Sequence, residues 1–171
     1  LVLDSDKVLI MGHRQPDMDV IGSAIGILKV AQANDKEGYI IFSEEESNFA
    51  IEKLMEKIKD EPSLWSRFIR PEGALDMVTA KTLLVVVDTH KPSLVIEEKL
   101  VQRSERIVVI DHHRRGEDFI EEPVLVYMEP YASSTSELVT ELLEYQPDHL
   151  KLTSLEATAL LAGITVDTKN F

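Results

Sequence analysis

The chain has 171 residues, 44% of them hydrophobic, which suits one core-forming domain or two small ones. Its 31 acidic and 18 basic residues give a formal net charge of −13, which repels nucleic-acid backbones and argues against a general DNA-binding module, yet leaves room for a small phosphate substrate held through cations. The absence of cysteine rules out disulfides, zinc–thiolate sites and cysteine nucleophiles, and no apolar run approaches the roughly 20 residues of a membrane span. No signal peptide is visible. Leu1 and Phe171 both read as cut ends, so a fragment of a longer protein is expected.

Lys7 to Gly12 is predicted as a buried strand. From Asp19 to Ala33 the apolar residues Val20, Ile21, Ala24, Ile25, Leu28 and Ala31 follow helical spacing, with Asp17 or Asp19 as the N-terminal cap. Tyr39 to Ser43 is a second strand and Glu44 to Glu46 a charged turn. Ser47 to Lys59 is a helix whose apolar face includes Phe49, Ile51, Leu54, Met55 and Ile58, and Pro62 stops it. Trp65 to Ile69 reads as a short strand and Ala74 to Ala80 as a short helix. Thr82 to Val87 looks buried on both faces, as central parallel strands are. Pro92 to Leu100 suits a helix with proline in its first turn. Arg106 to Ile110 and Val124 to Met128 are further strands. Ser134/Glu137 and Thr153/Glu156 are capping boxes for helices over Thr135–Glu144 and on to about Val166. Strands alternating with helices indicate an α/β fold: a mainly parallel sheet with helices on both faces. No glycine-rich dinucleotide fingerprint or Walker loop is present.

Three apolar runs end abruptly in Asp and His. Lys7–Gly12 leads into His13-Arg14-Gln15-Pro16-Asp17-Met18-Asp19, Thr82–Val87 into Asp88-Thr89-His90, and Arg106–Ile110 into Asp111-His112-His113-Arg114-Arg115. The carboxyl edge of an open parallel sheet is where ligands bind. His13, Asp17, Asp19, Asp88, His112 and Asp167, with Asp111 and His113 beside them, are candidate ligands for a shared metal site. Asp and His without Cys suit Mn²⁺, Fe²⁺ or Co²⁺, and Mg²⁺ less well. One ion rarely needs six such side chains, whereas two ions sharing a carboxylate use them all. Taken singly, Asp17 or Asp19 is more simply a helix cap, Asp88 the start of a turn, His112 or His113 a hydrogen-bonded histidine, and Asp167 a helix-end polar residue. Convergence on three strand ends favours the metal reading. His90 and His149 are assigned structural or surface roles, and Arg114 and Arg115 are balanced between solvated charges and substrate contacts.

The ordered motifs resemble the DHH phosphoesterase superfamily. His13-Arg14-Gln15-Pro16-Asp17-Met18-Asp19 matches its first motif, Asp88-Thr89-His90 its second, Asp111-His112-His113 the signature that names it, and Gly163-Ile164-Thr165-Val166-Asp167-Thr168 its fourth. The wording around them, including Met128-Glu129-Pro130-Tyr131-Ala132-Ser133-Ser134-Thr135, is most similar to the GdpP-type cyclic-di-AMP phosphodiesterases within that superfamily.

The resemblance implies that residues 1–171 are a DHH catalytic domain, lacking the C-terminal DHH-associated domain that binds nucleotide. It implies two Mn²⁺ ions, with Co²⁺, Fe²⁺ or Mg²⁺ as substitutes. His13, Asp17 and Asp88 would hold one, and Asp19, Asp88, His112 and Asp167 the other, with Asp88 bridging. Asp111 would orient a ligand histidine. His113 would face the substrate phosphate as charge stabiliser or general acid, with Arg114 and Arg115 as further substrate contacts. Hydroxide activated between the ions would open cyclic-di-AMP to linear pApA. The fragment alone is expected to be weak or inactive. The parent would be a bacterial membrane-anchored protein with this domain in the cytoplasm, the fragment itself not inserting, and a homodimer is implied as well. Two alternatives stay open: a relative acting as oligoribonuclease/pAp phosphatase, inorganic pyrophosphatase or RecJ-like exonuclease, or a catalytically silent metal-binding regulatory domain.

Overall fold

A computed structural model describes residues 1–147 and 150–168. In chain order the elements are β1 (Val8–Met11), α1 (Met18–Ala33), β2 (Gly38–Ile41), a 3-10 turn at Glu44–Glu46, α2 (Phe49–Lys59), α3 (Pro62–Trp65), β3 (Phe68–Ile69), α4 (Pro71–Met77), β4 (Leu83–Val87), α5 (Glu98–Arg103), β5 (Arg106–Asp111), β6 (Leu125–Met128), α6 (Thr135–Leu143) and α7 (Ser154–Thr168). The strands form one six-stranded sheet in the order β3-β2-β1-β4-β5-β6, with every neighbouring pair parallel. Strand order reverses between β1 and β4, where an α/β sheet opens a crevice at its carboxyl edge.

Alternate strand residues feed two cores. Val8, Ile10, Ile40, Leu83, Val85, Val108 and Ile110 face α1, α2, α6 and α7. Leu9, Met11, Ile41, Leu84, Val86, Ile107 and Val109 face the other side, where Ala74 of α4 and Leu100 of α5 cover them. Burial of each such Leu or Ile contributes roughly 1.5–3 kcal/mol against the chain entropy lost. Helix α1 is buried nearly all round because α6 and α7 pack on it. Glycines set how closely they approach: a β-carbon at Gly22 would lie 2.5 Å from the Ala159 carbonyl oxygen, one at Gly26 would overlap Val139, and one at Gly163 would overlap Ser136 Oγ.

Several expectations need correction. Residues 92–97 are not helical: Val95 forms an isolated bridge with His13, and α5 starts only at Glu98. This tertiary pairing overrides the local proline signal. Phe49 is 72% exposed, so the buried face of α2 starts at Ile51. Helix α2 ends at Lys59, before Pro62, as expected, but Pro62 also starts a new helical turn that takes up Trp65, leaving only Phe68–Ile69 as β3. The helix expected over 74–80 occupies Pro71–Met77, with proline in its first turn. Asp17, not Asp19, caps α1, its side chain accepting from the Val20 N–H. The box at Thr153/Glu156 closes reciprocally, at 3.2 and 2.8 Å. At Ser134 only half forms, because Glu137 reaches Ser133 instead. His149 lies outside the described residues.

Candidate metal centre

The interiors of β1, β4 and β5 are apolar and carry no charge through the sheet, so ionisable side chains gather at the strand ends. His13 follows β1, Asp88 follows β4, Asp111 ends β5, and His112 and His113 come next. Asp88 holds φ = 63°, in the left-handed region that non-glycine residues seldom occupy. Such backbone is retained where surrounding structure fixes it, commonly at functional sites. Here the Asp88 N–H donates to the Ile110 carbonyl at 2.9 Å and the Thr135 hydroxyl donates to Asp88 Oδ1 at 3.0 Å.

Three overlapping donor groups meet at Asp88: His13, Asp17 and Asp88; Asp19, Asp88, His112 and Asp167; and Asp88, His112 and His113. Within each, the donor atoms lie within 4.8 Å of one another, and each could hold a metal ion, although in the third the His113 Nδ1 is already bonded to Asp111. Asp88 Oδ2 lies 3.2 Å from His13 Nε2, while Oδ1 lies 3.3 Å from His112 Nε2. His112 Nε2 also has Asp167 Oδ2 at 3.3 Å and Asp19 Oδ2 at 3.6 Å. It is nevertheless buried without a hydrogen-bond partner. A buried ring nitrogen ringed by three carboxylates and bonded to none suits a divalent cation better than a proton. The all-Asp/His donor set fits Mn²⁺, Fe²⁺ or Co²⁺.

Asp19 is fully buried, and α6 receives it: its carboxylate accepts the Thr135 and Ser136 N–H groups at 2.9 and 2.7 Å. These are the unsatisfied amides of a helix N-terminus, where negative charge is favoured. Burial and the charge of Asp88 still push its carboxyl up to about 9. Burial would also raise Asp88, but contacts with His112 and His13 outweigh it and hold that carboxyl well below the usual range. For His112, burial is outweighed by the carboxylates of Asp88, Asp19 and Asp167, which lift it to about 9. His13 is likewise raised, burial being outweighed by Asp88 and Asp17. The cluster thus retains protons that a bound cation would displace.

Asp111 is fully buried and belongs to none of these donor groups. Its Oδ1 bonds His113 Nδ1 at 2.6 Å and its Oδ2 bonds His90 Nδ1 at 2.7 Å. Those contacts overcome the effect of burial and keep it below the usual carboxylate range. The bond to Asp111 raises His113, whose side chain is 54% exposed and whose Nε2 has no hydrogen-bond partner among the described residues.

His90, set aside as structural or surface, is buried here, and its Nε2 accepts the Gly116 N–H at 3.0 Å. It therefore carries its proton on Nδ1 and ties the Asp111–Gly116 loop down. Its partner is 21 residues away, so no local pattern flagged it; the one available signal was a second titratable residue two places after Asp88. Thr135 and Ser136 were missed as contacts to Asp88 and Asp19 because the capping-box reading had already explained that stretch.

His13, Asp88, Asp111, His113 and Arg114 line a cleft of about 800 Å³. Arg115 turns elsewhere: its guanidinium lies 4.1 Å from the Phe119 ring centroid, and Phe119 stacks on His90.

Residues 7–164 match the model of the DHH family, N-terminal domain. The chain is 65% identical, over all its 171 residues, to the cyclic-di-AMP phosphodiesterase GdpP of Geobacillus thermodenitrificans, and 52% identical over the same length to the cyclic-di-AMP phosphodiesterase PdeA of Listeria monocytogenes. It spans 26% of the length of each of these relatives. Among solved structures, an exopolyphosphatase-related protein from Bacteroides fragilis superposes with a TM-score of 0.77 at 24% identity, covering 99% of this chain and 48% of that one, a likeness of fold.

Proposed function

The chain belongs to the DHH family, and on that premise we propose that it is the metal-binding domain of a phosphodiesterase acting on cyclic-di-AMP, the compound named for its relatives. The observation that carries this reading is the pair of donor groups, His13 with Asp17 and Asp19 with His112 and Asp167, that share Asp88, with the orphaned Nε2 of His112 at the centre of the second. Two Mn²⁺ ions there would polarise a phosphodiester and bring a water molecule's pKa towards neutrality. His13, Asp17 and Asp88 hold one ion; Asp19, Asp88, His112 and Asp167 hold the other. Asp111 anchors His113 through Nδ1, so His113 Nε2 donates its proton to the leaving oxygen or bonds the phosphate. Arg114 contacts substrate from the wall of the cleft. The nucleotide bases are gripped by a second domain of the parent, so the isolated chain turns over weakly and yields linear pApA.

The test is nucleotide chromatography of cyclic-di-AMP incubated with the purified chain and Mn²⁺, alongside metal analysis. Two Mn²⁺ per chain with slow pApA formation is the expected result. Metal-free protein would overturn the reading. Turnover as fast as that of a full-length relative would overturn the need for a second domain.

A further inference from the structure

The cleft that holds Asp88 and Asp111 is also lined by three cations and one further acid, Glu46. Arg14, Lys91 and Arg114 all line it, in a chain where acids outnumber bases by 31 to 18. None of the three pairs with a carboxylate among the described residues. Unpaired cations gathered in one concavity of an acidic protein attract an anion, because the rest of the surface repels it.

Their placement is also built. Arg14 is fixed at two points on the loop that follows β4: its N–H donates to the Leu94 carbonyl at 2.8 Å and its guanidinium donates to the Ser93 carbonyl. Ser93 Oγ in turn bonds Asp118. Lys91 lies beside Gly116, where an added β-carbon would sit 3.4 Å from Lys91 Cε. The loops after β1, β4 and β5 each deliver one cation. A guanidinium held by a carbonyl on one edge keeps its remaining N–H donors for an incoming oxyanion.

We propose that Arg14, Lys91 and Arg114 form a second anion subsite, free of metal ligands, that holds a phosphate group of the substrate other than the one undergoing attack. This rests on the phosphodiester reading above and deepens it: the cleft selects substrates carrying two phosphates, one for the metal centre and one for the three cations. At about 800 Å³ the cleft has room for more than a single phosphoryl group.

The first readout is equilibrium binding, so it does not depend on turnover. Chelator-treated chain is titrated with inorganic pyrophosphate at low ionic strength. The expected result is binding that added salt weakens and that the double variant Arg14→Met/Lys91→Met weakens about tenfold, the loss of charge-assisted hydrogen bonds. Arg14→Lys should restore part of it. Arg103→Met, which removes one exposed charge on α5, should leave it unchanged. Absence of binding by the wild-type chain, equal binding by the double variant, or an equal effect of Arg103→Met would each overturn the subsite. The second readout is KM for cyclic-di-AMP with Mn²⁺: the double variant should raise it about tenfold with metal content still two per chain. Intact pyrophosphate binding with no turnover by any form would sink the phosphodiesterase reading and leave the subsite standing.

Discussion

Asp6, just before β1, and Asp88, just after β4, sit at opposite ends of the same pair of neighbouring strands and meet opposite surroundings. Asp6 accepts from the Thr79 hydroxyl at 2.6 Å, the Thr82 hydroxyl at 3.0 Å and Lys7 Nζ at 2.9 Å. Burial is the largest single influence and would raise its carboxyl, but these bonds and the Lys7 charge together outweigh it and bring the carboxyl down to about 2. Both carboxylate oxygens have hydrogen-bond donors and one cation balances one anion. Around Asp88 the balance fails. Asp17, Asp19 and Asp167 crowd the same space, no Lys or Arg pairs with them among the described residues, and a buried nitrogen of His112 goes unbonded. The lesson is that a completed polar cluster contributes stability, whereas an electrostatically incomplete one marks where a ligand's charge belongs.

The sharpest way to break this contrast is Asp88→Ala. It should lower turnover by on the order of 10³-fold or more and remove at least one of the two expected ions; a variant that keeps both ions and its rate would show that Asp88 is no shared ligand. His113→Ala should cost about 10² to 10⁴ in turnover while metal content stays at the parental value. Loss of both ions in that variant would make His113 a ligand and not a substrate residue. Gly163→Ala tests how the centre is held rather than what it does: the new methyl has no room beside Ser136 Oγ, so the denaturation midpoint should fall by an amount worth about 1–3 kcal/mol. An unchanged midpoint would mean that α7 is not pressed against α6.

Asp6→Asn should have the smallest effect, about 1 kcal/mol at neutral pH after discounting for its partial exposure. Its sign with pH is fixed. The folded-state pKa is depressed, so the contribution is fully present above the ordinary value near 3.8 and is lost as pH falls through about 2. Urea midpoints of the two proteins measured against pH should therefore converge below pH 4; a constant gap would rule out titration of Asp6 as its source.

The carboxyl-edge acids and histidines were legible because buried β-branched runs such as Thr82–Val87 tolerate no charge, which forces Asp88 to the exit. The parallel sheet was legible from the alternation of such runs with helical stretches. Phe49 was misread because helical spacing reports which residues share a face, not how far the neighbouring core extends. Residues 92–97 were misread because their backbone serves His13 and Arg14, a contact about 80 residues away in sequence that no window detects. The role of His90 stayed hidden for the same reason. Gly163 was legible only as part of the fourth motif, and nothing in the sequence assigned Gly22 or Gly26 a packing role; their contacts show all three to be surfaces on which α1, α6 and α7 meet.

That docking has a temporal side. Asp167 sits in the last turn of α7, whereas His13, Asp17 and Asp88 all come from the first ninety residues. Synthesis proceeds from the amino terminus, so the group built on His13 can assemble early, while the group around His112 stays one carboxylate short until α7 settles against Gly22 of α1. Any ion held by that second group would therefore wait on α7, and its occupancy would report that this helix has found its seat.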